Sequence, residues 1–216
     1  MLKYYLTLLL CAFSLSFFAQ DPHRFEKEID SLKQLAIPTG DKAAVFTGSS
    51  SVRLWKGLAQ DCKRYDLVNT GFGGSQTSDL LYFLEELVLR HKANTVFIYE
   101  GDNDINAGKA PDSIILTMKE VVSKIHQVTP DAQIYLISAK PSPSRWQFLE
   151  QYTHFNRLLK NYAESSVKLN YIDVWDVMLD RNKRPISKIF IADSLHMNRK
   201  GYRLWKRKIC KKPSRL

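Results

Sequence analysis

The chain is 216 residues long, 44% hydrophobic and 25% charged, which suits one domain with a buried core rather than several. Of its formal net charge of +10, nine belong to one end: residues 199–216 hold nine Lys or Arg and no acid, residues 20–198 carry 22 charges of each sign, and Lys3 supplies the tenth. A basic tail alone does not make a nucleic-acid partner, so none is expected; its readings are a solvated helix end or a weak contact with an anionic surface.

The opening residues, 1–19, read as a secretory signal peptide. Lys3 makes a positive start, Tyr4 to Phe18 is apolar or small, and Ala19 precedes the polar Gln20-Asp21-Pro22. The run is short for a bilayer span, which needs about 20 residues. Cys11 follows three leucines and lacks the small neighbour that a lipid-modification site wants. The protein is therefore expected to be exported, periplasmic or extracellular, with residues 20–216 as a single domain ending in a basic helix and tail. Export permits a disulfide between Cys62 and Cys210, but spacing alone leaves open whether they come within reach. Two cysteines do not make a zinc site.

From Asp21 to Leu35, the apolar residues Phe25, Ile29, Leu32 and Leu35 recur at helical spacing, so a helix is expected on the outside of the core. Ala43-Ala44-Val45-Phe46 reads as a buried strand. It runs into Gly48-Ser49-Ser50-Ser51, after which Val52, Leu54, Trp55 and Leu58 suit a helix. Asp66–Asn69 is a second strand leading to Gly71-Phe72-Gly73-Gly74-Ser75, with a helix from Thr77 or Ser78 to about Arg90. The third strand, Thr95–Tyr99, has no alternation, as expected when both faces are covered. It ends at Glu100-Gly101-Asp102-Asn103-Asp104. A helix from Pro111 to about Gln127, a strand over Gln133–Ile137, a rigid loop at Pro141-Ser142-Pro143-Ser144 and a helix over Gln147–Ala163 follow. A fifth strand is expected over Tyr171–Val174, then a loop carrying Asp193-Ser194-Leu195-His196 and a helix over about Asn198–Ile209. Strands alternating with helices argue for an α/β fold on one five-stranded parallel sheet with right-handed crossovers.

Open α/β sheets place their chemistry beyond the carboxyl ends of the strands, and four polar segments fall there or on the terminal loop. Ser50, at a strand-to-helix turn, is the candidate nucleophile; a serine needs a base and donors for a developing oxyanion. Of the five histidines, His23 lies near the start, His91 and His126 near helix ends where a surface cation is the plain reading, and His154 in mid-helix. His196 alone sits in a loop with a carboxylate, Asp193, three residues before it, an offset that can orient an imidazole. Gly74 can offer a backbone N–H and Asn103 a side-chain amide, although glycine-rich turns and turn asparagines are more often structural.

These segments together resemble the SGNH hydrolases, the GDSL-type esterase/lipase family. Gly48-Ser49-Ser50 is similar to the family's Gly-Asp-Ser block, Gly74 to its glycine block, Gly101-Asp102-Asn103-Asp104 to Gly-x-Asn-Asp, and Asp193-x-x-His196 to the terminal block. All four occur in family order across residues 46 to 198. The resemblance implies a flavodoxin-like three-layer α/β/α sandwich, with Ser50 as nucleophile, His196 as base and Asp193 as its partner. It implies an oxyanion hole from the Ser50 N–H, the Gly74 N–H and the Asn103 side chain, and no metal or other cofactor. Ser49 departs from the family Asp, and Ser51 from an apolar residue; neither is a reacting group.

The expected function is that of an exported serine esterase acting through a Ser-His-Asp triad and an acyl-enzyme on a small-molecule or glycan ester, with short-acyl (acetyl) esters of carbohydrates favoured. A lysophospholipase or platelet-activating-factor acetylhydrolase-like lipid esterase is the alternative within the class. Outside it stand a non-catalytic envelope-glycan binding module and a metal phosphoesterase using Asp102 and Asp104, for which the accompanying histidine ligands are missing. Trp55 and Trp146 can stack on a sugar or line an acyl pocket, with core packing as the default for either. The natural ester and the oligomeric state are not legible in the sequence.

Overall fold

The computed structural model describes residues 21–210. The leader assigned to residues 1–19 and the last six residues of the basic tail lie outside the described residues. The five apolar runs form strands β1 (Ala43–Gly48), β2 (Asp66–Asn69), β3 (Thr95–Tyr99), β4 (Gln133–Ile137) and β5 (Leu169–Ile172). They pair in parallel in the order β2-β1-β3-β4-β5. This is the flavodoxin-like order: the chain winds from β1 to β2 on one side, then crosses to β3 on the other. Loops leaving β1 and β3 diverge, and the crevice between them is where such sheets hold ligands.

Among the described residues the helices are α1 (Glu26–Leu32), α2 (Ser50–Arg53), α3 (Leu58–Asp61), α4 (Thr77–Tyr82), α5 (Leu84–Leu87), α6 (Asp102–Asn106), α7 (Pro111–Val128), α8 (Leu149–Ala163) and α9 (Arg199–Ile209). Strand alternation sorts the core into two faces. Val45, Val96, Ile98, Ile134 and Leu136 pack under α1, α4, α5, α7 and α8. Ala44, Phe46, Phe97, Tyr99 and Ile137 pack under Val52, Trp55, Leu58 and the Tyr202, Trp205 and Ile209 face of α9. The result is the three-layer sandwich, with a thick helical layer on one face and a thin one on the other.

Four helices differ from their expected extents; the first, expected from Asp21 to Leu35, is a 3-10 turn at Pro22–Phe25 followed by α1. The helix expected from Thr77 to Arg90 is broken into α4, α5 and a 3-10 turn at Leu89–His91, because Phe83 and Val88 leave helical backbone angles. Leu80, Phe83, Leu84, Leu87 and Val88 stay buried across the breaks and keep the i, i+3, i+4, i+7, i+8 spacing of one helical stripe. The stretch after Ser50 splits into α2 and α3, with Trp55 buried between them against Tyr202 (5.5 Å, stacked) and Trp205 (5.9 Å, edge). The helix expected from Gln147 begins as a 3-10 segment, Pro143–Phe148, before α8. Strand β5 also ends two residues early, since the Val174 N–H turns to the Ser138 hydroxyl (3.0 Å) rather than to a neighbouring strand.

The open question of the cysteines is answered by the fold. Cys62, which caps the C-terminus of α3, is bonded to Cys210, which caps that of α9, with 4.8 Å between their Cα atoms.

Candidate active site

The serine turn is shaped by a close approach of two strands. Gly48, the last residue of β1, has φ +129°, and a Cβ there would lie 2.1 Å from the Tyr99 carbonyl oxygen of β3. Only glycine meets both demands. The Ser49 N–H donates to that same Tyr99 carbonyl (3.1 Å), and the Ser49 carbonyl accepts from Val52 (2.9 Å) and Arg53 (3.2 Å), starting α2. Ser50 is thus the first residue of α2, where a backbone N–H has no partner within the helix. Ser49 and Ser51 are buried, whereas Ser50 stays partly exposed.

The terminal loop is brought to this turn by α9. Asn198 does the anchoring: its side-chain N–H groups donate to the carbonyls of Lys188 (3.0 Å) and Phe190 (2.9 Å). Its oxygen accepts from Lys200 (2.8 Å) and Gly201 (3.4 Å), capping α9. Tyr202 in turn donates to the Ser51 carbonyl (3.0 Å), joining α9 to the serine helix. Within the loop, one Asp193 carboxylate oxygen accepts the backbone N–H groups of Leu195 and His196 (both 2.9 Å). The other lies 2.6 Å from His196 Nδ1. A carboxylate can only accept, so Nδ1 carries the proton and Nε2, 3.0 Å from Ser50 Oγ, is the acceptor. Partial burial opposes the Asp193 charge, but the bonds from the imidazole and the two backbone N–H groups outweigh it and hold the carboxyl down at about 2.

Two further loops close the site. Gly74 has φ +78°, and its N–H meets no acceptor among the described residues. Asn103, expected on a loop, sits instead in the first turn of the short helix α6, entered through Gly101 at φ +101° with the Phe155 ring against its Cα. The Asn103 amide nitrogen donates to the Ser75 carbonyl (2.8 Å), and its oxygen accepts from Arg145 Nη2 (2.9 Å). Beneath Ser75, its hydroxyl lies 2.6 Å from Glu100, a fully buried carboxyl that burial pushes well above the ordinary range.

Asp102 is buried under Asn103. Lys140 Nζ (3.0 Å) and the Tyr99 hydroxyl (2.9 Å) reach one of its oxygens, and Arg145 Nη1 and the Tyr152 hydroxyl the other. Burial alone would raise its pKa, but the Lys140 and Arg145 charges hold it well below the usual carboxylate range. Asp104 accepts from the Thr77 N–H (2.9 Å) and from Lys109 (3.3 Å). Both carboxylates are therefore taken up inside the fold, which removes them as ligands for a phosphoesterase metal. Among the described residues, no three His, Cys, Asp or Glu side chains converge as a metal site.

The other named residues lie elsewhere. His91, expected as a surface cation, is buried with both ring nitrogens unpartnered among the described residues, and burial lowers its pKa to about 4. His126 lies 3.0 Å from the Ala132 carbonyl and His23 2.6 Å from Glu26. His154 stands 3.6 Å from Asp112. Trp55 is core. Trp146 is half-buried, stacked on Trp175 at 6.1 Å with Arg184 over its ring at 5.3 Å. Arg145, Lys140, Glu100 and Asn198 were not expected at the site. Only the polar character of Asn198 just before α9 carried a local signal, as a helix cap.

The sequence profile of the GDSL-like lipase/acylhydrolase family matches residues 39–204. Comparison with curated protein sequences gives no match. Among solved structures, a protein provisionally assigned as a platelet activating factor from Streptococcus pneumoniae is 19% identical, with 86% of this chain and 89% of that one covered and a TM-score of 0.73. A provisionally assigned acylhydrolase from Bacteroides fragilis is 20% identical, with 88% and 95% covered and a TM-score of 0.73. A variant of an acetyl-xylooligosaccharide esterase from Geobacillus stearothermophilus is 18% identical, with 80% and 94% covered and a TM-score of 0.64. At these identities the likeness is one of fold.

Proposed function

Because the chain belongs to the GDSL-like lipase/acylhydrolase family and is a carboxylic ester hydrolase, we propose that it works through Ser50, His196 and Asp193 by way of an acyl-enzyme. The observation that carries this reading is the 3.0 Å contact between Ser50 Oγ and His196 Nε2, with Asp193 2.6 Å behind the imidazole. Ser50 Oγ attacks the ester carbonyl while its proton passes to His196 Nε2; Asp193 stabilises the resulting imidazolium. The oxyanion meets the Ser50 and Gly74 N–H groups and the second amide hydrogen of Asn103. His196 then protonates the leaving alcohol, the acyl group stays on Ser50, and a water activated by the same imidazole releases the acid.

The substrate in this reading is a short-acyl ester, acetyl foremost, on a carbohydrate. Support comes from the half-buried Trp146–Trp175 pair, of which Trp146 follows Arg145, the residue that touches Asn103. The likeness to an acetyl-xylooligosaccharide esterase points the same way. We also propose export, supported by the residue pattern of 1–19 and by the Cys62–Cys210 bond, which suits an oxidising compartment. The cationic outer face of α9 would give a weak contact with an anionic surface.

The test is labelling with a fluorophosphonate probe and mapping of the modified peptide. Ser50 should carry the label; a label on Ser49 or Ser51 would overturn the assignment. Acetate release from acetylated xylooligosaccharides should exceed hydrolysis of lysophospholipids, and the reverse order would move the substrate to the lipid alternative. Glycan retention with neither labelling nor turnover would favour a binding module.

A further inference from the structure

We propose that Arg145 is a positioning residue for the oxyanion hole, acting through the Asn103 side chain; this rests on the esterase reading above. Three observations carry it. The guanidinium bridges two consecutive residues of α6: Nη2 donates to Asn103 Oδ1 (2.9 Å), while Nη1 donates to the Asp102 carbonyl (3.1 Å) and carboxylate. The Asn103 amide is thereby held at both ends, its oxygen on Arg145 and one amide hydrogen on the Ser75 carbonyl (2.8 Å). A flipped amide would set its nitrogen against the guanidinium donor and its oxygen against a carbonyl, so the flipped state is repelled twice. The remaining amide hydrogen is then fixed in direction, as a preorganised oxyanion donor requires.

The second contribution is charge. Asp102 sits between two cations, Lys140 and Arg145, in a cluster where Asp102 and Lys140 are 3% and 1% exposed. One carboxylate between two cations leaves a net charge of +1 one hydrogen bond behind the Asn103 amide. Away from water such a charge is weakly screened. It polarises the amide toward donation, so this contribution too reaches the oxyanion through Asn103. Tyr99 and Tyr152, both on Asp102, add donors without changing that sum.

The geometry also accounts for the rigid loop. Pro141 and Pro143 lead into the 3-10 segment Pro143–Phe148 that presents Arg145, and the Ser144 N–H donates to the Ser194 carbonyl (3.2 Å) of the Asp193–His196 loop. Asn156 pins the strand-end backbone before Lys140, accepting from the Ala139 N–H (2.8 Å) and donating to its carbonyl (3.0 Å).

The experiment is a double-mutant cycle on hydrolysis of p-nitrophenyl acetate, with N103A, R145M and the N103A/R145M pair beside the wild type, each checked for folding by thermal melting. R145M should lower kcat about tenfold to a hundredfold with KM changed less than about threefold, a part of the roughly 10²–10³-fold an oxyanion donor contributes. In the N103A background the same substitution should change kcat by less than about threefold, because its route is gone. Equal losses in both backgrounds, or an R145M kcat like wild type, would overturn the proposal. A wild-type kcat in N103A would instead sink the oxyanion reading and this proposal with it. Should R145M not fold, R145K, which keeps a charge beside Asp102 but not the two-pronged fork, carries the same cycle; it too must lose kcat only when Asn103 is present.

Discussion

His196 Nε2 stands 3.0 Å from Ser50 Oγ although 146 residues separate the two in sequence. The contact is set from outside the pair. α9 caps itself on Asn198, ties to the serine helix through Tyr202, and is bonded at its far end to Cys62. The imidazole is carried on the loop leading into that clamped helix. Disturbing the clamp should therefore act on catalysis without touching a reacting atom.

Asn198→Ala tests the near end of the clamp. It removes two bonds to the Lys188 and Phe190 carbonyls and the cap of α9. A loss of about 1–2 kcal/mol is expected, the size of a lost cap. Denaturant melts measure it, and kcat should fall alongside as the His196 loop loosens.

At the other end, Cys62→Ser with Cys210→Ser removes a cross-link that closes a 148-residue separation. Constraint of the unfolded chain gives at most about 5 kcal/mol for a loop this long, and a loss of about 2–4 kcal/mol, typical of a disulfide, is expected. The melting temperature should drop while activity at low temperature persists. An unchanged melting temperature would show that the bond contributes nothing to stability.

Asp193→Asn keeps the shape of the triad but replaces the acceptor behind Nδ1 with an amide that stabilises neither the tautomer nor the imidazolium. A kcat loss of about 10³–10⁴-fold is expected. Since Asp193 itself titrates only near 2, loss of activity on mild acidification does not report its protonation.

Ser49→Ala should leave kcat within about threefold of wild type. Its backbone holds the turn through Tyr99, Val52 and Arg53, whereas its buried hydroxyl meets no partner among the described residues; a lost neutral side chain with no bond changes little. A loss of a hundredfold would show that the hydroxyl takes part.

His91 supplies a stability test far from the chemistry. Its folded pKa of about 4 lies below the ordinary 6.5, so between those values the unfolded chain binds the proton more readily. Stability is full above pH 6.5 and falls as the pH drops toward 4. His91→Leu should flatten that fall in pH-dependent melts. It should also gain roughly 1 kcal/mol at neutral pH by removing two buried nitrogens that have no partner among the described residues.

What could be read without coordinates was what neighbours in the chain encode. Thr95–Tyr99 and Gln133–Ile137 are apolar, β-branched or aromatic and bounded by polar turns, so their strands are visible from local pattern alone. Pro111–Val128 shows its helix in the same way, by the spacing of Ile114, Met118, Val121 and Ile125. Local pattern does not record where a helix breaks. Leu80 to Val88 has the spacing of one helix, yet the backbone leaves helical angles at Phe83 and Val88 with that stripe still buried. His91 looked like a surface cation for a similar reason, because burial of a polar ring is decided by what packs over it.

By itself the sequence determined the five strands, their alternation with helices and the four blocks, three at strand ends and one on the terminal loop, that mark the family, since each depends on residues within one turn or one strand of each other. The tertiary structure alone decided that the Asp193–His196 loop faces Ser50, that Cys62 reaches Cys210, and that Arg145 and Lys140 gather on Asp102 behind Asn103. Those contacts span about 40 to 150 positions. Their partners are chosen by the order in which parallel crossovers lay β4 beside β3 and α9 across β1, and no local periodicity records that choice.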